Sequence, residues 1–201
     1  MTEKINPILL DFPNELPGAR IVVRPYVESD APALWDAIEA SRTHLAPWMP
    51  WLTDWKEPEF ARVVIRKNAA KWIMREDLTM GMFERRGENA SGRLLGGCGL
   101  HRFDWSVPAM EIGYWLRPDA EGKGYVSEMV KLLTGFAFAH LKAERVEIRC
   151  DAVNTRSAAV PRRLGFKEEA LLRSSRRNVE GVLGDTLVFA MTRADYVEDV
   201  E

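Results

Sequence analysis

Two closely spaced glycines, Gly122 and Gly124, separate a β-rich run that ends at Leu116 from an apolar helical pattern that begins at Val126. Glycine allows the backbone to approach a ligand closely, and the first turn of a helix presents unpaired N–H groups at the positive end of the helix dipole. A strand, a glycine turn and a helix N-terminus in this order form a cradle for an anion. We expect its ligand to be a phosphate or a pyrophosphate.

The glycine turn matches neither of the two common nucleotide-binding fingerprints. The P-loop pattern Gly-x-x-x-x-Gly-Lys-Ser/Thr fails because Arg117 stands at its first glycine and Gly124 follows Lys123. The dinucleotide fingerprint fails because Ser127 occupies the position of its third glycine. An ordinary glycine turn before a helix remains an alternative, so the flanking elements have to decide.

Three tryptophans, Trp48, Trp51 and Trp55, lie in a proline-punctuated loop. Aromatic rings at such a place either cover the core beneath the loop or form one wall of a ligand-binding site. The sequence leaves both interpretations open.

The strand predicted at 94–103 contains Gly96, Gly97 and Gly99, which indicate a bulge or a close approach of another part of the chain. His101 lies near the end of this strand. A single histidine at such a position is more often structural than catalytic, and we expect a structural role for it.

Hydrophobic periodicity predicts the order β-α-α-β-β-β-α-β-α-β-β for the elements that position these residues. This order indicates an α/β (α+β) fold with one mixed sheet and helices on both faces, in which helix 126–141 joins two parallel strands. Strands are predicted at 21–25, 80–85, 94–103, 110–116, 145–151, 167–176 and 186–192. Helices are predicted from a Ser29-Asp30 cap to Ile38 and at 56–75, 126–141 and 154–164.

Composition limits the class of protein. The 201 residues make one ordinary domain, predicted at 19–193 between an irregular lead-in over 1–18 and a tail over 194–201. A net charge of −2 and a pI near 6.0 give no reason to expect nucleic acid or a membrane surface as partner. No signal peptide or membrane span is expected. Cys98 and Cys150 lack metal-ligand spacing, which favours a reducing cytoplasm and no bound metal.

Four motifs in this order of elements are similar to those of a known family. They are Glu-Ile-Gly-Tyr-Trp-Leu at 111–116, Gly-Lys-Gly-Tyr at 122–125, Asn154-x-x-Ser157 and Leu-Gly-Phe at 164–166. Together they resemble the GNAT family of acetyl-CoA-dependent N-acetyltransferases, and within it the RimJ/RimL branch of ribosomal-protein N-terminal acetyltransferases. The resemblance covers about residues 18 to 193. It implies the acyl-CoA N-acyltransferase fold, a mostly antiparallel sheet that is splayed at its centre.

The resemblance implies acetyl-CoA as co-substrate, in a V-shaped gap where strand 110–116 diverges from strand 145–151. The pantetheine is then expected to pair with the backbone of Tyr114, Trp115 and Leu116. The diphosphate is expected to accept hydrogen bonds from the amides of Gly122, Lys123, Gly124, Tyr125, Val126 and Ser127. Two positions depart from the family pattern, since Glu121 replaces the usual Arg or Gln and Val126 replaces a small residue.

Acetyl transfer requires an acceptor for the proton of the amine and stabilisation of the departing thiolate. By resemblance, Glu111 relays the proton, with a solvated strand glutamate or an arginine partner as the alternative. Many family members use a tyrosine to serve the thiolate, but Pro161 stands at that position here. Ser157 instead matches the serine that is proposed for this role in the RimL branch. A serine bonded to its own backbone is the alternative. Asn154 matches a cofactor-contacting asparagine or simply caps a helix. Cys150 is expected to be a buried thiol.

The acceptor is expected to be a primary amine, and the resemblance favours a protein N-terminal α-amine. Such an amine has a pKa near ~8, against ~10.4 for lysine, and needs less help to lose a proton. A small amine (a polyamine, amino acid or drug) and a catalytically silent acyl-CoA-binding regulator remain alternatives, and a homodimer is left open. The pair Arg176 and Arg177 lies where the RimL branch carries an acidic residue, which favours an acidic acceptor unless the segment is a solvated hairpin face.

Overall fold

The computed structural model describes residues 6–87 and 91–196. Its elements are β1 Leu16–Pro17, β2 Ile21–Pro25, α1 Ala31–Leu45, α2 Glu59–Met74, β3 Leu78–Arg85, β4 Ser91–Asp104, β5 Ala109–Leu116, α3 Tyr125–Ala139, β6 Arg145–Asp151, α4 Thr155–Arg163, β7 Lys167–Arg177 and β8 Leu183–Thr192. The strands form one sheet in the order β1-β2-β3-β4-β5-β6-β8-β7. All neighbours are antiparallel except β5 and β6. The expected mixed, mostly antiparallel sheet is confirmed.

Helices pack on both faces of this sheet because its strands bury apolar side chains on either side. α3 contributes Met129 and Leu133 to the larger core. α1 and α2 contribute Ile38 and Ile65 to a second core, to which β3 adds Phe83. The prediction of helices on both faces is therefore confirmed. Within the described part of the chain, no helix is long and apolar enough to cross a membrane.

The parallel pair at the centre of the sheet is short. β5 and β6 pair only from Ala109 opposite Arg145 to Glu111 opposite Glu147. Beyond this point each strand keeps its outer partner, since β5 pairs with β4 as far as Leu116 and β6 pairs with β8 as far as Asp151. The sheet is therefore splayed, as expected, and one edge of β5 has no sheet partner beyond Glu111.

Several expected boundaries need correction. The lead-in is not wholly irregular, because Pro7–Leu9 form a 3₁₀ turn and Leu16–Pro17 pair with β2. The Ser29-Asp30 cap is wrong in detail, since the Asp30 carboxylate accepts from the N–H of Val27 and from Arg24 instead of from the helix. Residues 1–5 of the lead-in, 88–90 of the β3–β4 connector and 197–201 of the tail lie outside the described residues.

Candidate active site

Two cavities open where β5 and β6 diverge, and they share part of their walls. The large cavity has a volume of about 660 Å³ and is lined by Glu111 and His101. The small cavity has a volume of about 430 Å³ and reaches Glu121 and Val126. The residues that line both are Trp48, Met49, Tyr114, Trp115, Asn154 and Ser157. The two cavities therefore meet in the gap of the sheet.

The turn before α3 leaves a run of backbone N–H groups without acceptors. Gly122 and Gly124 have φ angles of 73° and 79°, in the left-handed region that glycine adopts readily, and they turn the chain sharply into the helix. No N–H group of residues 122–127 donates a hydrogen bond within the described part of the chain. These amides and the helix dipole together offer a site for an anion.

Arg20, immediately before β2, holds this turn in place. Its Nη1 donates to the carbonyl oxygen of Lys123 at 2.7 Å, and its Nε lies 2.8 Å from Oε2 of Glu128. Its guanidinium also lies 5.4 Å from the ring centroid of Tyr125. This role could not be predicted from the sequence, because the partners of Arg20 lie about a hundred residues further along the chain.

Glu121, the departure from the family pattern, pairs with an imidazole and a guanidinium. Its Oε1 lies 2.9 Å from Nε2 of His44 in α1, and its Oε2 lies 2.6 Å from Nη1 of Arg156 in α4. The side chain therefore bridges the two walls of the small cavity. Its negative charge stays beside the anion cradle, with Arg156 as its counter-charge.

Glu111 lies at the point where β5 loses β6, and it lines the large cavity. Its Oε2 lies 3.3 Å from Nε of Arg102 and 3.5 Å from Nε of Arg149, but it receives no hydrogen bond. Burial raises the pKa of this carboxyl, and the two guanidiniums offset only part of that effect. A raised pKa makes the carboxylate a stronger base than a solvated glutamate.

A β-bulge directs Arg102 toward Glu111. The β4–β5 register shifts between His101 and Asp104, and Arg102 has a φ of 52°. Bulges beside active sites commonly re-aim a side chain in this way. An arginine in the left-handed region is unusual in a strand, so this contact could not be predicted from the sequence.

The Tyr114 hydroxyl lies at the junction of the two cavities, 3.2 Å from both the carbonyl oxygen and Oγ of Ser157. In an α-helix the Ser157 carbonyl would accept from the N–H of residue 161, but Pro161 has no N–H. Tyr114 therefore satisfies an acceptor that the proline leaves open. Burial raises the pKa of Tyr114 to about 12, so the phenol remains a donor at neutral pH.

Asn154 and Cys150 flank Ser157 in the same wall. The Asn154 side chain caps α4 by accepting from the N–H of Ser157 at 3.0 Å, while the residue also lines both cavities. Cys150 is half-buried and lines the large cavity, so the expectation of a buried thiol holds only in part. Burial raises the pKa of this thiol above its ordinary value, although Ser157 lowers it somewhat, and the group is a poor nucleophile at neutral pH.

All three tryptophans of the 45–55 loop line the large cavity. Trp55 is also 6% exposed and belongs to the core, where it packs edge-on against Phe60. Core packing and a cavity wall are therefore compatible for the same residue. Trp48 and Trp51 are more exposed and reach the opening.

Arg176 joins this loop to the β7–β8 hairpin at the edge of the large cavity. Its Nη1 lies 3.0 Å from Oδ2 of the buried Asp151, and its Nη2 donates to the carbonyl oxygen of Trp48 at 3.2 Å. Arg177 does not line the cavity, and it bonds the carbonyl oxygen of Gly181 in the hairpin turn. The structure thus brings only one arginine of the pair to the site, already paired with a carboxylate.

A sheet that splits between two parallel strands, with a backbone anion cradle at the mouth of the split, defines the GNAT class of acyltransferase. The family model described as "Acetyltransferase (GNAT) domain" matches residues 20–167. The chain therefore belongs to the GNAT acetyltransferase family.

The relatives are consistent with this assignment. The "Putative ribosomal N-acetyltransferase YdaF" of Bacillus subtilis (strain 168) is 34% identical over 105 residues, which are 52% of this chain and 57% of YdaF. The alignment thus spans little more than half of that relative.

Two solved structures share the fold. A crystal structure of a "Probable acetyltransferase" has a TM-score of 0.81 at 26% identity and covers 89% of this chain and 96% of its own. The ribosomal L7/L12 α-N-protein acetyltransferase RimL was solved in complex with coenzyme A. It has a TM-score of 0.80 at 20% identity, and the match covers 90% of this chain and 99% of the RimL chain.

Proposed function

We propose that this protein transfers acetyl from acetyl-CoA directly to a primary amine, and that the natural acceptor is the α-amine of a protein N-terminus. The observation that carries the proposal is the split between β5 and β6, which opens beside the unpaired amides of residues 122–127. The acetyltransferase domain is proposed at residues 19–193, a range that holds every strand of the sheet except the two-residue β1.

The chain's own groups fit the donor substrate. The amides of residues 122–127 suit the diphosphate, because backbone donors at a helix N-terminus bind phosphate without a matching side chain. The free edge of β5 around Tyr114, Trp115 and Leu116 suits the amide-containing pantetheine arm, which can pair with it as an added strand does. The complex of RimL with coenzyme A, on the same fold, supports this placement.

Glu111 and the hydroxyls of Ser157 and Tyr114 divide the chemistry between them. The amine nitrogen attacks the thioester carbon, the N–C bond forms, and Glu111 accepts the proton that the nitrogen gives up. The C–S bond then breaks with its electron pair going to sulfur. Ser157 donates its hydroxyl hydrogen to that sulfur. Tyr114 positions the serine, because its phenol donates to the Ser157 carbonyl oxygen and its oxygen lies 3.2 Å from Oγ of Ser157.

The acid–base chemistry of the site suits the α-amine of a protein N-terminus better than the side-chain amine of a lysine. An α-amine, with a pKa near ~8, is partly neutral at physiological pH, so it needs less help from a base than a lysine amine does. The similarity to YdaF, a "Putative ribosomal N-acetyltransferase", and to RimL, a ribosomal L7/L12 α-N-protein acetyltransferase, supports the same class of acceptor.

An acceptor panel tests the proposal. Purified protein is given acetyl-CoA with N-terminal peptides, the same peptides with blocked N-termini but free lysines, and polyamines or amino acids. Release of free thiol with the free N-terminal peptides alone is the expected result. Turnover restricted to small amines would redirect the assignment to a small-molecule enzyme, and binding of acetyl-CoA without any turnover would indicate a regulator.

Removing the hydroxyl groups at the thiolate position is expected to slow turnover. Ser157→Ala should lower kcat about tenfold, because the thiolate loses its donor, and Tyr114→Phe should lower it less, because the serine keeps its hydroxyl but loses the group that positions it. The double variant should lose less than the product of the two, since Tyr114 acts through Ser157. Steady-state kinetics measure this, and a double loss equal to that product would show that the two groups act separately.

Removing the charge of Glu121 is expected to tighten coenzyme binding. Glu121→Gln should lower the Kd of acetyl-CoA about fivefold, near ~1 kcal/mol, because it removes an anion beside the diphosphate and frees His44 and Arg156. Titration calorimetry measures the change, which should shrink at high salt. Weaker binding in the variant would mean that the bridge itself shapes the cavity.

A further inference from the structure

The position of His101 in the large cavity is defined by the sheet and by neighbouring glycines. It lies directly opposite Glu111 in the β4–β5 register, so both side chains stand on the same face of the sheet. Its ring covers the backbone of two glycines. A Cβ added at Gly99 would lie 2.9 Å from its Nε2, and a Cβ added at Gly113 would lie 3.1 Å from the same atom. At Gly99 the added Cβ would meet the carbonyl oxygen of Leu78 first, at 2.6 Å, whereas at Gly113 the nearest atoms belong to the imidazole. The ring therefore fits because Gly113 lacks a side chain.

Asp77 fixes the orientation of this imidazole. Its Oδ2 lies 2.8 Å from Nδ1 of His101, and its Oδ1 accepts from Oγ1 of Thr79 at 2.6 Å. Burial alone raises the pKa of the Asp77 carboxyl, but the hydrogen bonds from His101 and Thr79 outweigh it and hold that pKa below its usual range. Asp77 is thus a carboxylate and accepts the Nδ1–H, which leaves the lone pair on Nε2.

Nε2 of His101 is available to a ligand. It makes no hydrogen bond to any described residue, and the side chain lines the large cavity beside Glu111. The charged groups around the imidazole are Asp77 before β3, Arg102 on β4, Glu111 on β5 and Arg149 on β6. Two guanidiniums lie near Oε2 of Glu111, whereas the imidazole of His101 has the Asp77 carboxylate on its Nδ1 side.

The reaction asks for two proton acceptors. A primary amine enters mainly as an ammonium ion at neutral pH and must lose one proton before it can attack. The nitrogen loses a second proton when it becomes an amide, and one of the two ends on the thiol that departs. An imidazole, with an ordinary pKa of ~6.5, matches an α-ammonium near ~8 more closely than a carboxyl near ~4 does.

We propose that His101, oriented by Asp77, takes the first proton from the acceptor ammonium, while Glu111 takes the second during attack. This inference rests on the proposed acetyltransferase function and adds a catalytic residue and a positioning residue to it. It also explains the glycine at 113, which makes room for the imidazole in the large cavity.

The test compares His101→Gln and Asp77→Asn with the unchanged protein, using an N-terminal peptide and a fluorinated amine that is already neutral at the assay pH. With the peptide at neutral pH, kcat/KM is expected to fall about twentyfold in His101→Gln and about fivefold in Asp77→Asn. Both deficits should vanish above the pKa of the peptide amine and with the fluorinated amine. The Kd of acetyl-CoA, measured by calorimetry, should stay unchanged.

The outcomes separate this inference from the proposed function. A deficit that is equal for both amines and constant with pH would assign His101 a merely structural role and overturn the inference. Full activity in His101→Gln would overturn it as well while leaving the acetyltransferase intact. Absence of turnover with every amine in the unchanged protein would overturn the proposed function and this inference together.

Discussion

Replacing Glu111 with glutamine is expected to lower kcat/KM for an N-terminal peptide about 100-fold at neutral pH, because the attacking nitrogen loses its proton acceptor. The carboxylate is suited to this task by its surroundings. It is mostly buried at the point where the sheet opens, and burial raises its pKa. Coenzyme binding should be unaffected, since the anion cradle lies at the other end of β5.

The pH dependence of this loss follows from the raised pKa of Glu111. Glu111 serves as a base only above that pKa. The nitrogen gives up its second proton during attack whether the amine enters as an ammonium ion or neutral. The deficit should therefore grow as the pH rises through the pKa of Glu111 and persist at high pH. Measurement of kcat/KM across pH tests this, and a variant that matches the unchanged protein throughout would remove Glu111 from the mechanism.

Glu147 offers a matched control, because it lies opposite Glu111 in the β5–β6 register and also contacts Arg149. Burial raises the pKa of the Glu147 carboxyl, but hydrogen bonds from Arg145 and Arg149 outweigh it and the net pKa is lowered. Glu147→Gln should therefore lower the free energy of unfolding at neutral pH and leave the chemistry intact.

The two glutamates should thus have opposite effects on stability. The pKa of Glu111 is raised in the folded state, so its ionisation opposes folding once the pH exceeds the pKa of the unfolded state. Glu111→Gln should therefore not lower the unfolding midpoint at neutral pH. A lowered pKa contributes stability above the unfolded value that is lost as pH falls, which is the case of Glu147. An equal loss of activity in both variants would assign the effect to the charge around Arg149 instead of to Glu111.

Local sequence signals sufficed for the parts of this site that the backbone builds. Strand, glycine turn and helix follow one another directly between Ala109 and Ala139, so periodicity and two glycines predict the cradle without knowledge of the rest. The splayed sheet was expected only through family resemblance. Nothing in the residues of β5 or β6 says that their pairing ends at Glu111.

Side-chain partnerships that depend on register could not be predicted. The Tyr114 phenol reaches Ser157 because Pro161 leaves a carbonyl open on another element. Arg176 looked like a free cation for an acidic acceptor, but Asp151, 25 residues earlier in the chain, neutralises it. In each case the partner is fixed by the packing of two elements and not by spacing along one.

His101 illustrates the limit most clearly. A single histidine in a strand is usually structural, and its sequence neighbours do not distinguish this one. Its orientation comes from Asp77, which precedes β3, and its space comes from Gly113 on β5. Only the assembled sheet brings these groups together.

A matched pair of glycine substitutions tests the anion cradle. Gly122 and Gly87 both have a φ of 73°, and a Cβ added at either meets nothing within 4 Å. Alanine at each position should therefore cost similar stability, ~1 kcal/mol, from left-handed strain. Gly122→Ala alone should weaken acetyl-CoA binding, because a diphosphate held by the backbone leaves no room for a methyl group. The expected increase in Kd is about 30-fold, near ~2 kcal/mol.

Calorimetry with acetyl-CoA and with dephosphorylated pantetheine donors locates the effect. The affinity for acetyl-CoA should fall in Gly122→Ala, whereas a pantetheine thioester without the diphosphate should bind both variants equally, because it never contacts the turn. Gly87→Ala controls for strain, since it changes the same dihedral in the β3–β4 connector. Equal acetyl-CoA affinity in the two variants, despite equal loss of stability, would place the diphosphate elsewhere and remove the turn before α3 from the binding site.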